Sequence, residues 1–477
     1  MSTILPRSDA LVFFGATGDL ALKMIFPALQ ALVKDGRLDV PVIGIAKAGW
    51  DVARLRERAR ESIEKYGDGV TGAGGVTGAA FEKLCSLLRY VDGDYGDPKT
   101  FDRLRDTLGG AKCPLFYLAI PPATFGPVVN GLGRSGCHAG ARVVVEKPFG
   151  RDLASARELN RTLLNVFPEE AIFRIDHFLG KEAVRSLLYF RFANTFLEPS
   201  WNHSYVDRIE ITMAESFGIQ GRGRMYDDTG AIRDVLENHL LQVVASLAMD
   251  SPDRTALEAH RDARTDALRS VVPVAPRDLV RGQFDGYANE PGVAAGSQVE
   301  TYAALRLQLD SPRWKGVPFF IRTGKCLPVT CTEVLVKFKA LAHRAFDDSP
   351  SDAGTSYVRF RLDPQTAVAL GVREKAPGEA MVGRDTELLA PAMPSNEMTS
   401  YKYLLGDAMV GDATLFARED SVEAEWRAVD GVLGNTTPIY SYAPGTWGPK
   451  EADRVGPAEG WHVPVLDSLD PRTQRAA

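Results

Sequence analysis

Short apolar runs recur along the first third of the chain, each ending in a turn rich in glycine, proline or charge. Leu11-Val12-Phe13-Phe14 is followed by Gly15-Ala16-Thr17-Gly18-Asp19-Leu20 and then by helical periodicity through Ile25, Leu29 and Leu32. Pro41–Ala46, Leu87–Val91, Leu115–Ala119, Arg142–Val145 and Ile172–Ile175 repeat the strand signature, with helical patterns between them, as at Leu55 and Ile63. Continuous apolar strands alternating with helices predict an α/β fold with a doubly wound, mostly parallel sheet. After Glu182 the pattern changes. Asp207–Ala214, Thr301–Leu309, Pro318–Arg322, Glu333–Lys339 and Tyr357–Leu362 alternate, which predicts a large, mostly antiparallel sheet with one solvated face. One long helix, from about Thr229 to Met249, carries an apolar stripe of Ile232, Val235, Leu236, Leu240, Val243 and Leu247.

The first turn has a strand before it and a helix after it, the context in which glycines let backbone approach a pyrophosphate at a helix N-terminus. Its spacing is GxxGxL rather than GxGxxG, and a strand-to-helix turn without a ligand has the same pattern. The second strand runs into Lys47, where NAD-specific folds place an acid; a cation there leans towards a 2′-phosphate, or is simply a solvated lysine. Ile120-Pro121-Pro122 makes a stiff turn at a strand's carboxyl end, and Glu146-Lys147-Pro148-Phe149-Gly150 makes another. The Lys147–Pro148 bond is a candidate for the cis form.

Arg174-Ile175-Asp176-His177-Phe178-Leu179-Gly180-Lys181-Glu182 packs an acid, a histidine and a lysine into nine residues. A helix starting near Asp176 would carry His177 and Lys181 on one face, and with its free N–H groups they would form an anion seat. The alternative is a capped surface helix with an ordinary ion pair. His239 lies within the apolar stripe of the long helix, where it is either a satisfied core residue or a histidine kept neutral to act as a base.

Composition narrows the class. The 477 residues are 45% hydrophobic and 25% charged, as in soluble globular proteins of two or three domains. A net charge of −6 gives no basic footprint for nucleic acid or an anionic membrane. Five cysteines form no CxxC pair and read as reduced thiols of a cytoplasmic protein. No segment reads as a signal peptide or a membrane span, and no metal is expected. The glycine-rich run Gly67–Gly78 reads as a loop without an assigned function, and the stretch after about Thr446 as a surface wrap.

Taken together, the Gly15 turn, Glu146–Gly150, Arg174–Glu182, Arg233-Asp234-Val235-Leu236-Glu237-Asn238-His239, Arg322-Thr323-Gly324-Lys325 and Tyr401–Arg418 resemble, in order and over essentially the whole chain, the glucose-6-phosphate dehydrogenase family. The resemblance implies a Rossmann domain over residues 1–175 and a larger α+β domain over 176–477 that binds substrate and forms a dimer face. It implies oxidation of glucose 6-phosphate to 6-phosphogluconolactone with NADP, or alternatively NAD, in the first step of the oxidative pentose phosphate pathway, by a homodimer or homotetramer. It implies His239 as general base with Asp176 as its orienting acid. Lys147, Glu215, Asp234 and Lys325 match sugar-holding positions, and His177 and Lys181 match phosphate-holding ones. Gly15, Thr17, Gly18, Asp19, Leu20, Lys47, Pro121 and Lys147 would hold the cofactor. Three departures stand out: Phe178 replaces the family's usual Tyr, Thr330 a usual Lys or Arg, and Lys47 a frequent Arg. These leave open a related sugar dehydrogenase with relaxed phosphate recognition, such as one of the glucose-fructose oxidoreductase type, and a non-catalytic sugar-phosphate sensor.

Overall fold

A computed structural model describes residues 6–69, 75–253, 258–343, 346, 356–394 and 397–464. Part of the glycine-rich run and the last residues of the proposed surface wrap lie outside them. The chain divides into two units. The first comprises Met1–Lys181 with Asp253–Asp262 and Asn396–Glu423; the second comprises Glu182–Pro252, Ala263–Ser395 and Ala424–Ala477.

The first unit is built on β1 (Ala10–Phe14), β2 (Val42–Ala46), β3 (Leu88–Asp92), β4 (Pro114–Leu118), β5 (Arg142–Glu146) and β6 (Ile172–Ile175). They form one six-stranded sheet in the order β3-β2-β1-β4-β5-β6, every pairing parallel. Five strands are buried along their whole length, as expected where helices cover both faces; only edge strand β3 alternates. The strand order reverses between β1 and β4, the point at which such sheets bind ligands. Some of the helices between strands start on side-chain caps. Asp51 accepts the Arg54 N–H at 2.9 Å, and Asp152 with Ser155 forms a reciprocal capping box. The helix Glu397–Val410 returns to this unit, placing Leu404, Leu405 and Ala408 in the same apolar cluster as Leu29 and Leu32. Ion pairs Lys402–Asp35 (2.8 Å) and Arg37–Asp407 (3.4 Å) fasten it.

The second unit holds a nine-stranded sheet. Its strands are β7 (Val206–Ala214), β8 (Leu279–Phe284), β9 (Tyr302–Leu307), β10 (Phe319–Gly324), β11 (Cys331–Phe338), β12 (Tyr357–Asp363), β13 (Gln365–Lys375), β14 (Gly383–Pro394) and β15 (Ile439–Tyr442). The order is β14-β13-β12-β11-β7-β10-β9-β8-β15, antiparallel except for the pairs β7–β10 and β8–β15. One face carries Val358 and Phe360, with Phe360 packed edge-on to Phe190 of the helix Glu182–Ala193 at 5.6 Å. The expectation of a solvated opposite face fails over the central strands, because Glu210, Arg322, Glu333, Arg359 and Arg361 are all buried there. They bury by pairing with one another and with the segment around Trp461 and His462, whose peptide groups bond to Arg322 and Glu210.

Candidate functional site

In the first unit the strand order lays the predicted residues, together with Asp94, which the sequence did not single out, in a row along the sheet's carboxyl edge. Asp94 follows β3, Lys47 follows β2, Gly15 follows β1, Pro121 follows β4, Lys147 follows β5 and Asp176 follows β6. With neighbouring strands about 4.8 Å apart, the row from Lys47 to Asp176 spans roughly 19 Å. Gly15 has φ +82°, and a Cβ on it would meet the Ala119 carbonyl oxygen at 2.1 Å, so only glycine brings the turn this close to the end of β4. The Gly15 N–H donates to Ile45 O and to the Tyr95 hydroxyl, both at 2.9 Å, and the Gly18 N–H closes the turn on Gly15 O. Thr17 and Leu20 are half-buried, and Gly18 and Asp19 are exposed. Asp19 pairs with Lys23 at 3.3 Å. A glycine-bounded turn at the switch point, opening a helix, fits the pyrophosphate of a dinucleotide.

Lys47 is exposed and bonds Asp94 at 2.8 Å. That hydrogen bond raises Lys47 and lowers Asp94 from their ordinary pKa values, so both stay charged. Glu146, immediately before the half-buried Lys147, accepts a buried hydrogen bond from the Tyr117 hydroxyl. Burial lifts its carboxyl to about 7 against the opposing pull of Tyr117 and Lys147. The Lys147–Pro148 bond is cis.

The strands delivering Lys147 and Asp176 are direct neighbours, with Glu146 opposite Ile175. The expected helix at Asp176 is not formed. Leu179, Gly180 and Lys181 donate to the carbonyls of Asp176, His177 and Phe178, a run of three-residue turns, and the α-helix starts at Glu182. Asp176 Oδ1 draws the Phe178 N–H to 2.9 Å, which favours a turn over a helix. With three residues per turn, Lys181 stacks on the residue three before it: its Nζ lies 4.2 Å from the Phe178 ring centroid. The His177 ring lies nearly parallel to Tyr401, 6.5 Å away between centroids. Tyr401 belongs to the returning segment and was absent from the predicted site residues.

In the second unit the parallel pair β7–β10 matters most. Ala214 lies opposite Gly324, so the next residues, Glu215 and Lys325, emerge side by side and form an ion pair. The Lys325 side chain is only 3% exposed and Glu215 25%. Tyr226, which the sequence did not single out, is buried with its ring centroid 5.0 Å from Lys325 Nζ. Burial, then the charges of Asp234, Glu300 and Glu215, drive its hydroxyl well above the usual tyrosine range. Thr330 accepts the Ser216 N–H at 2.9 Å, so a neutral side chain braces the turn beside Glu215.

The long helix is not uniformly α. Ile232–Leu240 is a π-helix and Leu241–Ala248 continues it as α. Wider π turns bring Asp234 and His239, five residues apart, nearer to one face than an α-helix would. Asn238 stitches the widened segment, its Nδ2 donating to Arg233 O at 2.9 Å and its Oδ1 accepting the His239 N–H at 2.7 Å. His239 is buried and Asp234 half-buried. Buried Glu300 receives the Ile232 N–H at 3.2 Å and fixes where the helix begins.

Residues 12–186 match the family model described as "Glucose-6-phosphate dehydrogenase, NAD binding domain", and residues 188–462 match "Glucose-6-phosphate dehydrogenase, C-terminal domain". A relative from Mycobacterium tuberculosis named glucose-6-phosphate 1-dehydrogenase 1 is 42% identical, covering 96% of this chain and 97% of its own. A crystal structure of glucose-6-phosphate 1-dehydrogenase from Mycobacterium avium superposes with a TM-score of 0.87 at 39% identity, covering 97% of this chain and 100% of its own. A glucose-6-phosphate dehydrogenase solved with its substrate glucose 6-phosphate superposes at 0.86 with 31% identity, covering 98% of this chain and 100% of its own. The Rossmann order of the first sheet, the mostly antiparallel second sheet and full-length similarity agree: the chain belongs to the glucose-6-phosphate dehydrogenase family, whose members are oxidoreductases acting on a CH–OH group.

Proposed function

We propose that this chain oxidises glucose 6-phosphate at its anomeric carbon, yielding 6-phosphogluconolactone in the first step of the oxidative pentose phosphate pathway. The observation that carries the reading is His239, buried in a π-helical segment that also bears Asp234, in a chain of this family. His239 takes the proton of the anomeric hydroxyl, and Asp176 orients the imidazole and steadies its positive charge. Bound NADP would supply the acceptor for the hydride that leaves the same carbon; the hydroxyl proton stays on His239 and the bond from the carbon to that hydroxyl oxygen becomes the lactone carbonyl.

Lys147, Glu215, Asp234 and Lys325 hold the sugar hydroxyls, and His177 and Lys181 hold the phosphate. Gly15, Thr17, Gly18, Asp19, Leu20, Lys47, Pro121 and Lys147 hold the cofactor. Cofactor binding then falls to residues 1–175, and substrate binding and dimerisation to residues 176–477. His239→Asn should lower kcat by about two to four orders of magnitude while leaving KM within a few fold. Turnover near that of the unaltered enzyme would overturn the assignment.

Two further elements belong to the same reading. The chain forms a homodimer or homotetramer through its large sheet; Met381, Val382 and Leu388, at and beside strand β14, expose roughly half their surface, an apolar edge that calls for cover. Sedimentation showing only a 52.0 kDa species at micromolar concentration would contradict this. It works in the cytoplasm: its five cysteines are free thiols, and among the described residues no helix is long and apolar enough to cross a membrane.

A further inference from the structure

The carboxyl edge of the first sheet holds a charged arrangement that the cofactor reading leaves half used. Lys47 follows β2, Asp94 stands two residues beyond β3, and the register Ala46↔Asp92 sets the two strand ends together. The Lys47 Nζ–Asp94 Oδ2 distance is 2.8 Å. The backbone that carries each partner is tied down. Asp94 Oδ1 accepts the Gly96 N–H at 2.8 Å, and Asp94 O accepts the Thr100 hydroxyl at 2.8 Å. Asp92 Oδ1 accepts the Ala48 and Gly49 N–H groups at 3.0 and 2.8 Å, tying the loop that bears Lys47 to the end of β3.

In dinucleotide-binding sheets the end of the second strand meets the adenosine ribose. An acid there suits a free 2′-hydroxyl and a cation suits a 2′-phosphate. This chain presents both, already bonded to each other. A 2′-phosphate must share the Lys47 ammonium with Asp94 and lie beside a carboxylate. A hydroxyl can donate to Asp94 with the ion pair intact. We propose that Asp94 is a specificity-determining residue: by holding Lys47 it suppresses the preference for the 2′-phosphate, so that the enzyme uses both NADP and NAD. This rests on the cofactor reading above and sharpens it.

Asp94→Asn keeps the acceptor for Gly96 and removes the charge. Calorimetric titration of the full chain with 2′,5′-ADP and with 5′-ADP reads the ribose end without turnover. The substitution should tighten 2′,5′-ADP by roughly three- to tenfold and leave 5′-ADP within about twofold, the scale of one exposed charge contact. The ratio of kcat/KM for NADP over NAD should rise by the same factor, through KM, and the gain should shrink with added salt. Lys47→Ala should weaken 2′,5′-ADP alone. Equal changes for both fragments, or none, overturn the proposal while the cofactor reading stands. Wild-type protein that binds neither fragment overturns both.

Discussion

Two buried glutamates, one in each unit, end on opposite sides of the ordinary carboxylate range. Glu146 closes β5 of the parallel sheet, with the Tyr117 hydroxyl as its buried donor, and burial lifts it to about 7. Glu333 sits in β11 of the larger sheet. Burial pushes it upward too, but hydrogen bonding to His462 and the charges of Arg361 and Arg359 outweigh that and bring it to about 2. His462 Nε2 is 2.8 Å away, Arg361 Nε 2.7 Å and Arg359 Nη1 3.1 Å. Burial alone therefore does not set a carboxylate's charge; the number of donors that the fold can aim at it does. The first unit leaves an acid nearly balanced between its two forms beside Lys147, a proposed sugar and cofactor contact. The second unit uses a firmly ionised acid as the centre of a structural network.

The strongest way to break this contrast is Glu333→Ala. It leaves Arg361 and Arg359 buried around a missing anion and should cost about 3–5 kcal/mol of stability, read from denaturant unfolding. A loss below about 1 kcal/mol would show that the network is dispensable. The pH dependence of stability gives a second handle, with opposite signs for the two acids. Glu146, raised in the fold, contributes stability that is complete below the unfolded value near 4.5 and lost as pH climbs through about 7. Glu333, depressed in the fold, contributes stability that is present above about 4.5 and lost as pH falls towards about 2. Each swing amounts to about 3 kcal/mol. Glu146→Gln should flatten the loss between pH 4.5 and 7 and leave the acid limb alone; an unchanged slope would remove Glu146 from this role.

The smallest effect belongs to the lysines. Lys325 meets a carboxylate, whereas Lys181 lies over the apolar ring of Phe178. Phe178→Tyr adds a hydroxyl at the proposed phosphate seat. It should lower KM for glucose 6-phosphate by about tenfold, the worth of a hydrogen bond to a charged group, and leave free glucose unaffected. Equal effects on both sugars would place the phosphate elsewhere.

Some of this was legible without coordinates. The parallel strands announced themselves as mostly apolar runs, and β6 falls on Ile172–Ile175 as read, its one charged residue, Arg174, being buried and paired with Glu169. The Gly15 turn followed from its place between strand and helix. The second sheet was legible only in part. β7, β9, β10, β11 and β12 showed their alternation, while β8, β13, β14 and β15 did not stand out, and the inward charges of β11 and β12 read as a solvated face.

What the sequence by itself determined is therefore local: which runs form strands, which turns interrupt them and which residue types stand at the strand ends. Tertiary structure alone decided which ends meet. A parallel β7–β10 pair inside an otherwise antiparallel neighbourhood put Glu215 against Lys325 across 110 residues of chain. The pairing of β2 with β3 put Asp94 against Lys47, and the return of residues 396–423 put Tyr401 beside His177. Periodicity reports how one segment divides its side chains between two faces. Strand pairing and charge burial depend on partners far along the chain, and no window of neighbouring residues contains them.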